Sequence, residues 1–218
     1  MKIPDDWTFK NREVANGFDS HVRQQLPWYD LTTGVVAHVA RHYIPQGGLV
    51  YDIGASTGNI GRAIEDTLTT RNAKIIPIDN SEEMASLYQG PGEIIIADAL
   101  DYEFEPFDFA VAFLSLMFFP VARRKEWMTR MAMLIKQGGA MLIFDKCEPV
   151  GGYQSSVLSR LTIAGKLASG VSAEDILKKE LSIAGVQRPI DWKDILPQNS
   201  TEIFRFGDFA GWLIESKK

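Results

Sequence analysis

The chain has 218 residues, with Lys+Arg 23 against Asp+Glu 28, a formal net charge of −5 and an isoelectric point near 5.3. With 45% hydrophobic and 23% charged residues, Gly 18 and Pro 10, the composition is globular and excludes disordered, collagen-like and fibrous classes. The acidic balance speaks against a charge-driven nucleic-acid binder, and the single cysteine, Cys147, excludes an intramolecular disulfide and a thiolate metal cage and fits a reducing cytosol.

Residues 1–7 lack the apolar core of a signal peptide, and the longest apolar stretch, 110–120, is about half of the ~20 residues that a membrane span needs. A soluble, cytoplasmic protein is expected, with one domain over 1–218.

In chain order, 1–48 reads as an N-terminal arm and helix. Residues 1–20 are aperiodic, anchored only by Trp7, Phe9 and Phe18, and 31–43 carries Leu31, Val35, Val36, Val39 and Tyr43 at helical spacing before Pro45 and Gly47-Gly48. Residues 49–146 alternate short apolar runs with helical patterns. The runs are 49–53, 74–79, 93–98, 107–116 and 140–145; the helices are 59–68, 81–88 and 121–136. Near-continuous apolar strands separated by helices predict a parallel sheet covered on both faces.

After Asp145 the alternation stops. Residues 153–197 read as a helical insertion and lid, with helices at 153–168 and 172–184; Ser172 and Asp175 form a capping-box pattern and Gly185 is a stop. Residues 201–215 form two β-prone runs around Gly207-Asp208, a terminal antiparallel hairpin. The expected fold is α/β: a Rossmann-like, seven-stranded, mostly parallel sheet.

The strongest motif is Val50-Tyr51-Asp52-Ile53-Gly54-Ala55-Ser56-Thr57-Gly58-Asn59-Ile60-Gly61, a strand ending in Asp-x-Gly-x-x-x-Gly and running into a helix. A β-carbon at 54 would obstruct both the turn and a ligand, and the helix N-terminus aims N–H groups at the same place. A dinucleotide fingerprint would need glycine at 56, where this chain has Ser56. The observed spacing favours S-adenosyl-L-methionine; a nicotinamide or flavin nucleotide and a glycine turn without ligand are the alternatives.

Asp79, closing the second run beside Asn80, can accept both ribose hydroxyls, or cap the next helix; Ser81 could supply that cap itself. Asp98 with Ala99, after the third run, suits an adenine amine and ring nitrogen. Three successive strand ends thus carry suitable polar groups.

Together, VYDIGASTGNIG, IPIDNSEEM, IIADALDYEFEPFDFAVAFLSLMFFP and QGGAMLIFDK resemble the class I S-adenosylmethionine-dependent methyltransferases over 29–146. Within that superfamily the chain is most similar to the carboxy-S-adenosylmethionine synthase-like group. The shared features are Phe18-Asp19, Leu26-Pro27-x-Tyr29, Val50-Tyr51-Asp52-x-Gly54, Ile78-Asp79-Asn80-Ser81 and Gly138-Gly139-Ala140. The resemblance implies that Tyr29 lies across the cofactor and that Gly54, Ala55 and Ser56 follow its methionine part; Gly58, the second glycine of the motif, is counted among the cofactor-binding residues. It places Asp79 and Asn80 on ribose and adenine, and Asp98 with Ala99 on adenine. Phe113 stands at the pocket where the synthases have asparagine, and the insertion helix reads Ile176-Leu177-Lys178-Lys179-Glu180 where they use an arginine for the extra carboxylate.

Negative signals narrow the acceptor. Phe113-Leu114-Ser115-Leu116 is not the Asn/Asp-Pro-Pro-Tyr/Phe of amino-methyltransferases, and Cys147 is not preceded by the proline of cytosine-C5 enzymes. His38 and His42 share a helix face without a completing carboxylate or thiol, so no metal is expected. His21 is the better acid–base candidate, and Asp145-Lys146 is read as a substrate contact or a surface ion pair. In-line methyl transfer needs alignment more than a proton-transfer residue, so no catalytic base is singled out.

The expected function is S-adenosylmethionine-dependent methyl transfer to an unidentified acceptor. The alternatives are synthase-like chemistry on the cofactor itself and a catalytically silent cofactor-binding regulator. A small-molecule or protein acceptor is favoured over nucleic acid, no membrane partner is expected, and a homodimer is left open.

Overall fold

The computed structural model describes residues 3–5, 7–149 and 151–216. Met1, Lys2 and Asp6 of the expected arm, Val150 before the insertion, and the last two residues of the 1–218 domain lie outside the described residues.

Helix α1 (Arg12–Gln25) starts where the Asn11 side chain accepts the backbone N–H groups of Glu13 and Val14, and it ends just before Pro27. It is longer than the arm expected from the aperiodic first 20 residues. Helix α2 (Tyr29–Tyr43) follows. The strands and helices then alternate: β1 (Leu49–Ile53), α3 (Asn59–Thr70), β2 (Lys74–Asp79), α4 (Glu82–Ala85), β3 (Ile95–Ile96), β4 (Phe107–Phe113), a 3-10 turn (Leu116–Phe118), α5 (Val121–Leu134) and β5 (Ile135–Lys146). The insertion comprises α6 (Gly152–Ala168), α7 (Ala173–Ser182) and a short α8 (Trp192–Ile195), which the sequence pattern did not announce; β6 (Ser200–Phe206) and β7 (Phe209–Glu215) form the hairpin.

The seven strands lie in the order β3-β2-β1-β4-β5-β7-β6, with β7 antiparallel to both neighbours and the other pairings parallel. Alternation along each strand sends successive side chains to opposite faces. Tyr51, Ile53, Ala110, Ala112, Met141 and Ile143 pack on one face with Trp127, Met128 and Met131 of α5. Val50, Phe109, Val111, Leu142 and Phe144 pack on the other with Val36 and Ala40 of α2 and Ile60 and Ile64 of α3. Burial on both faces explains why the runs read as continuously apolar.

Three elements are shorter than their apolar runs predict. β3 keeps only two residues, α4 keeps four, and β4 stops at Phe113 because Leu114 turns to φ 58°. Edge position accounts for β3, which pairs with β2 alone and leaves Ile96 exposed.

Candidate cofactor and acceptor site

The order of the sheet reverses between β1 and β4, and at such a switch point the carboxyl ends of the strands open a crevice for ligands. Four successive strand ends build it. After β1 the backbone turns sharply at Gly54, φ 75°, and the N–H groups of Gly54 and Ala55 both donate to the Ile78 carbonyl, at 2.8 and 3.0 Å. The Ser56 N–H donates to Asp79 Oδ2 at 2.8 Å. The amides of Gly54, Ala55 and Ser56 are thus spent on tying β1 to β2, and Asp79 closes the cradle.

Tyr29, Gly54, Ala55, Ser56, Asp79, Asn80, Asp98, Ala99 and Phe113 all line one cavity of about 890 Å³, its open mouth included. Gly58 does not. It caps the start of α3 at φ 89°, and a β-carbon there would meet the Gly90 Cα at 2.9 Å, so its glycine serves loop packing and not the cavity wall.

Both oxygens of Asp79 are engaged: Oδ2 with Ser56 N–H, and Oδ1 with Ser81 N–H at 2.9 Å. Each keeps a lone pair free for a ribose hydroxyl. Burial pushes the Asp79 carboxyl upward against these bonds. Ser81 Oγ accepts Met84 N–H and caps α4, so Asp79 is released from capping, as the sequence allowed. Asp98 Oδ1 accepts Leu100 N–H at 2.9 Å. Beneath the loop, Asp52 is 1% exposed, with Oδ2 unpartnered, and burial raises its carboxyl to about 7.

Aromatic side chains enclose the crevice. Tyr29 meets Phe113 edge to face at 5.4 Å, with the Arg23 guanidinium 5.2 Å from the Tyr29 ring. From the N-terminal segment, Phe9 packs edge-on against Phe18 at 5.7 Å and Phe118 at 5.0 Å, and its carbonyl accepts the Ser81 hydroxyl at 2.7 Å. The segment itself hangs from Trp7, whose N–H donates to the Ser182 carbonyl of α7. Motif reading missed Phe118 and the wall role of Phe9, because neither sits at a strand end.

A second cavity, about 640 Å³ with its mouth, shares Phe9, Phe18, Leu114 and Phe118 with the first. Its far wall comes from α1, α6 and α7: His21, Gln25, Lys166, Lys179, Glu180 and Ile183, with Lys146 from the end of β5. His21 stacks on Trp7 at 5.3 Å, and burial, then Lys179, lowers it to about 4, so it stands neutral at pH 7.

Asp145 corrects both sequence readings. It is fully buried and accepts N–H groups from Leu116, Met117 and Lys146, a clamp for the turn after β4 and neither a substrate contact nor a surface pair. Lys146 instead turns toward Glu180 at 3.5 Å. His38 and His42 lie with ring centroids 5.0 Å apart, and among the described residues no group of three metal-ligating side chains occurs. Among the same residues no helix is long and apolar enough to cross a membrane.

A methyltransferase-domain family profile matches residues 50–139. The carboxy-S-adenosyl-L-methionine synthase of Shewanella amazonensis is 30% identical over 203 residues, spanning 89% of this chain and 82% of that protein. The chain belongs to the carboxy-S-adenosyl-L-methionine synthase family of S-adenosylmethionine-dependent methyltransferases. The Staphylococcus epidermidis synthase is 29% identical over 195 residues, 87% of this chain and 85% of that one. The fold is also that of the plantazolicin methyltransferase BpumL, solved with S-adenosylhomocysteine, at TM-score 0.63 and 13% identity over 94% of this chain and 90% of that one. Human N-acetylserotonin methyltransferase, solved with S-adenosylmethionine, superposes at TM-score 0.61 and 12% identity over 96% and 58%.

S-adenosyl-L-methionine is the cofactor of this enzyme class, and the crevice fits it. Ser56 Oγ is a buried hydroxyl on the wall with no partner among the described residues, and Asp79 and Asp98 retain acceptor capacity at the ends of β2 and β3.

Proposed function

We propose that the chain transfers a methyl group from S-adenosyl-L-methionine to a small-molecule acceptor held in the second cavity. The carrying observation is that the two cavities share Phe9, Phe18, Leu114 and Phe118, so an acceptor beyond those side chains faces the cofactor across an apolar junction. Enclosure by the N-terminal segment and α7 favours a small molecule over a nucleic acid, as does the net charge of −5.

When bound, the cofactor supplies an electrophilic methyl carbon on a positively charged sulfur. Asp79 and Asn80 would hold its ribose, Asp98 and Ala99 its adenine, and Gly54 to Ser56 its methionine part. Tyr29 and Phe113 restrict the space around the reacting centre and exclude water. Holding the reacting partners in line supplies most of what such a displacement asks of a protein. A cytoplasmic setting belongs to the same reading, supported by the lone buried thiol of Cys147, which burial pushes up to about 12.

A second reading is favoured by the relatives' names over most of their length: the enzyme acts on the cofactor itself and produces a carboxylated S-adenosylmethionine. One experiment separates the two. The protein is incubated with methyl-labelled S-adenosylmethionine and a small-molecule extract, and in parallel with S-adenosylmethionine and prephenate, and products are read by mass spectrometry. Label in an extract compound supports the first reading; a carboxylated cofactor in the prephenate arm replaces it with the second. Tight cofactor binding with neither product overturns both and leaves a regulatory binder.

A further inference from the structure

The loop that carries Asp98 and Ala99 follows a strand too short to hold it. β3 has two residues and pairs with β2 alone, so the sheet fixes little of the chain beyond it. The anchor is α5, behind the loop. Buried Trp127 donates its indole N–H to the Ala99 carbonyl at 2.8 Å. Three residues on, and so on the same helix face, Arg130 Nη2 donates to the Leu100 carbonyl at 3.0 Å and to the Ala99 carbonyl at 3.3 Å. The far end of the peptide between Ala99 and Leu100 is held as well, because the Leu100 N–H donates to Asp98 Oδ1 at 2.9 Å. A peptide is planar, so pinning its carbonyl and its N–H fixes the plane and, with it, the carboxylate that accepts the N–H. Among the described residues, Asp98 Oδ2 and the Ala99 N–H are left without a partner, on residues that line the crevice. The Trp127 ring also meets Phe119, another crevice residue, edge to face at 5.1 Å.

We propose that Trp127 and Arg130 are positioning residues that set the specificity for adenine, acting through the peptide between Ala99 and Leu100 and not on the ligand itself. This rests on the reading that Asp98 and Ala99 meet the adenine edge. The groups left free there are one acceptor and one donor: Asp98 Oδ2 takes the exocyclic amine, and the Ala99 N–H gives to the neighbouring ring nitrogen. Hypoxanthine carries an oxygen in place of the amine and a hydrogen on that nitrogen. It therefore sets acceptor against acceptor and donor against donor, which leaves polar groups of the crevice unpaired. The mismatch discriminates only while the pair is held rigid. Once α5 releases the peptide, the plane rocks, the carboxylate turns with it, and either base finds an acceptable arrangement. Arg123 of α5 also reaches this loop, at 3.1 Å from Asp101, but both side chains are exposed and such a pair holds little.

The test titrates the full chain by calorimetry with S-adenosylhomocysteine and with S-inosylhomocysteine, which differ only at that edge of the base. The parent should bind the adenosyl ligand roughly tenfold or more tightly than the inosyl one. Trp127→Phe keeps a ring against Phe119 and loses the N–H; in it, and in Arg130→Met, the ratio of the two affinities should fall by a factor of about three or more, and Arg130→Lys should recover part of it. Asp79→Ala is the control, since its loss falls on the ribose and should weaken both ligands alike with the ratio unchanged. A ratio that stays at the parent's value in the Trp127 and Arg130 variants, whether or not both affinities drop, overturns the positioning role and leaves the adenine reading standing. Equal affinity of the parent for the two ligands overturns the adenine reading and the positioning role with it. Where Trp127→Phe binds neither ligand, Arg130→Met decides, because Arg130 is only half-buried and its replacement spares the core.

Discussion

The hydroxyl of Ser115 donates to the Ile53 carbonyl at 2.7 Å, and its oxygen occupies the space that a β-carbon on Gly54 would need. Glycine at 54 therefore serves the junction of β1 and β4 before it serves any ligand. Its φ of 75° adds a second requirement, since an L side chain in the left-handed region costs roughly 1–2 kcal/mol.

Gly54→Ala is accordingly expected to lose more than that conformational cost, because the overlap with Ser115 adds to it. Placing Ser115→Gly in the same chain should recover the overlap and leave the conformational part. Urea denaturation of the two single variants, the double variant and the parent gives the coupling directly. Additive losses would show that Ser115 is not the obstruction.

Much of this site is legible in the sequence. Runs such as 49–53 and 74–79 are apolar throughout because β1 and β2 are buried on both faces, and the polar residues that end them face the crevice by the geometry of parallel sheets. What could not be read depends on packing between distant elements. Lys146, Lys166 and Lys179 belong to three elements, and only the docking of α6 and α7 beside the end of β5 gathers them around Glu180. Asp145 looked like a surface group because nothing local shows that the amides of Leu116 and Met117 fold back onto it.

Asp79 holds the Ser56 and Ser81 amides together with any ribose hydroxyls. Asp79→Ala should weaken S-adenosylmethionine binding by about 10- to 100-fold, on the scale of 1.5–3 kcal/mol for a hydrogen bond to a charged group. Calorimetry at constant pH checks it, and an unchanged affinity would remove Asp79 from the cofactor site.

The Asp145 carboxyl is pushed up to about 7 by burial, against three backbone amides and Arg124. Between the ordinary carboxylate range and that value the folded protein keeps a proton that the unfolded chain has lost, so this group makes stability fall as pH rises from about 4 to 7 and level off above. Asp145→Asn lacks this dependence. Relative to the variant, the parent should lose on the order of 4 kcal/mol between pH 4 and pH 8 for a three-unit shift. Denaturant midpoints of both proteins across that range measure it; a constant difference contradicts the assignment.

Trp7 anchors the segment that closes both cavities, through His21, Lys179 and the Ser182 carbonyl. Deleting a buried tryptophan ordinarily costs about 3–5 kcal/mol. Here Trp7→Ala should appear chiefly as undocking: amides of the segment through Lys10 lose exchange protection, and cofactor affinity drops as Phe9 leaves the wall. Hydrogen exchange by mass spectrometry separates this from global unfolding, in which the sheet amides would also lose protection.

The central claim is that the crevice holds the cofactor with its sulfur turned toward the second cavity. A crystal structure with S-adenosylhomocysteine tests it most directly. The account predicts ribose hydroxyls on Asp79, adenine beside Asp98 and Ala99, and the sulfur facing the Phe9 and Phe118 rings. A ligand lying elsewhere, or a sulfur directed away from those rings into solvent, would contradict it.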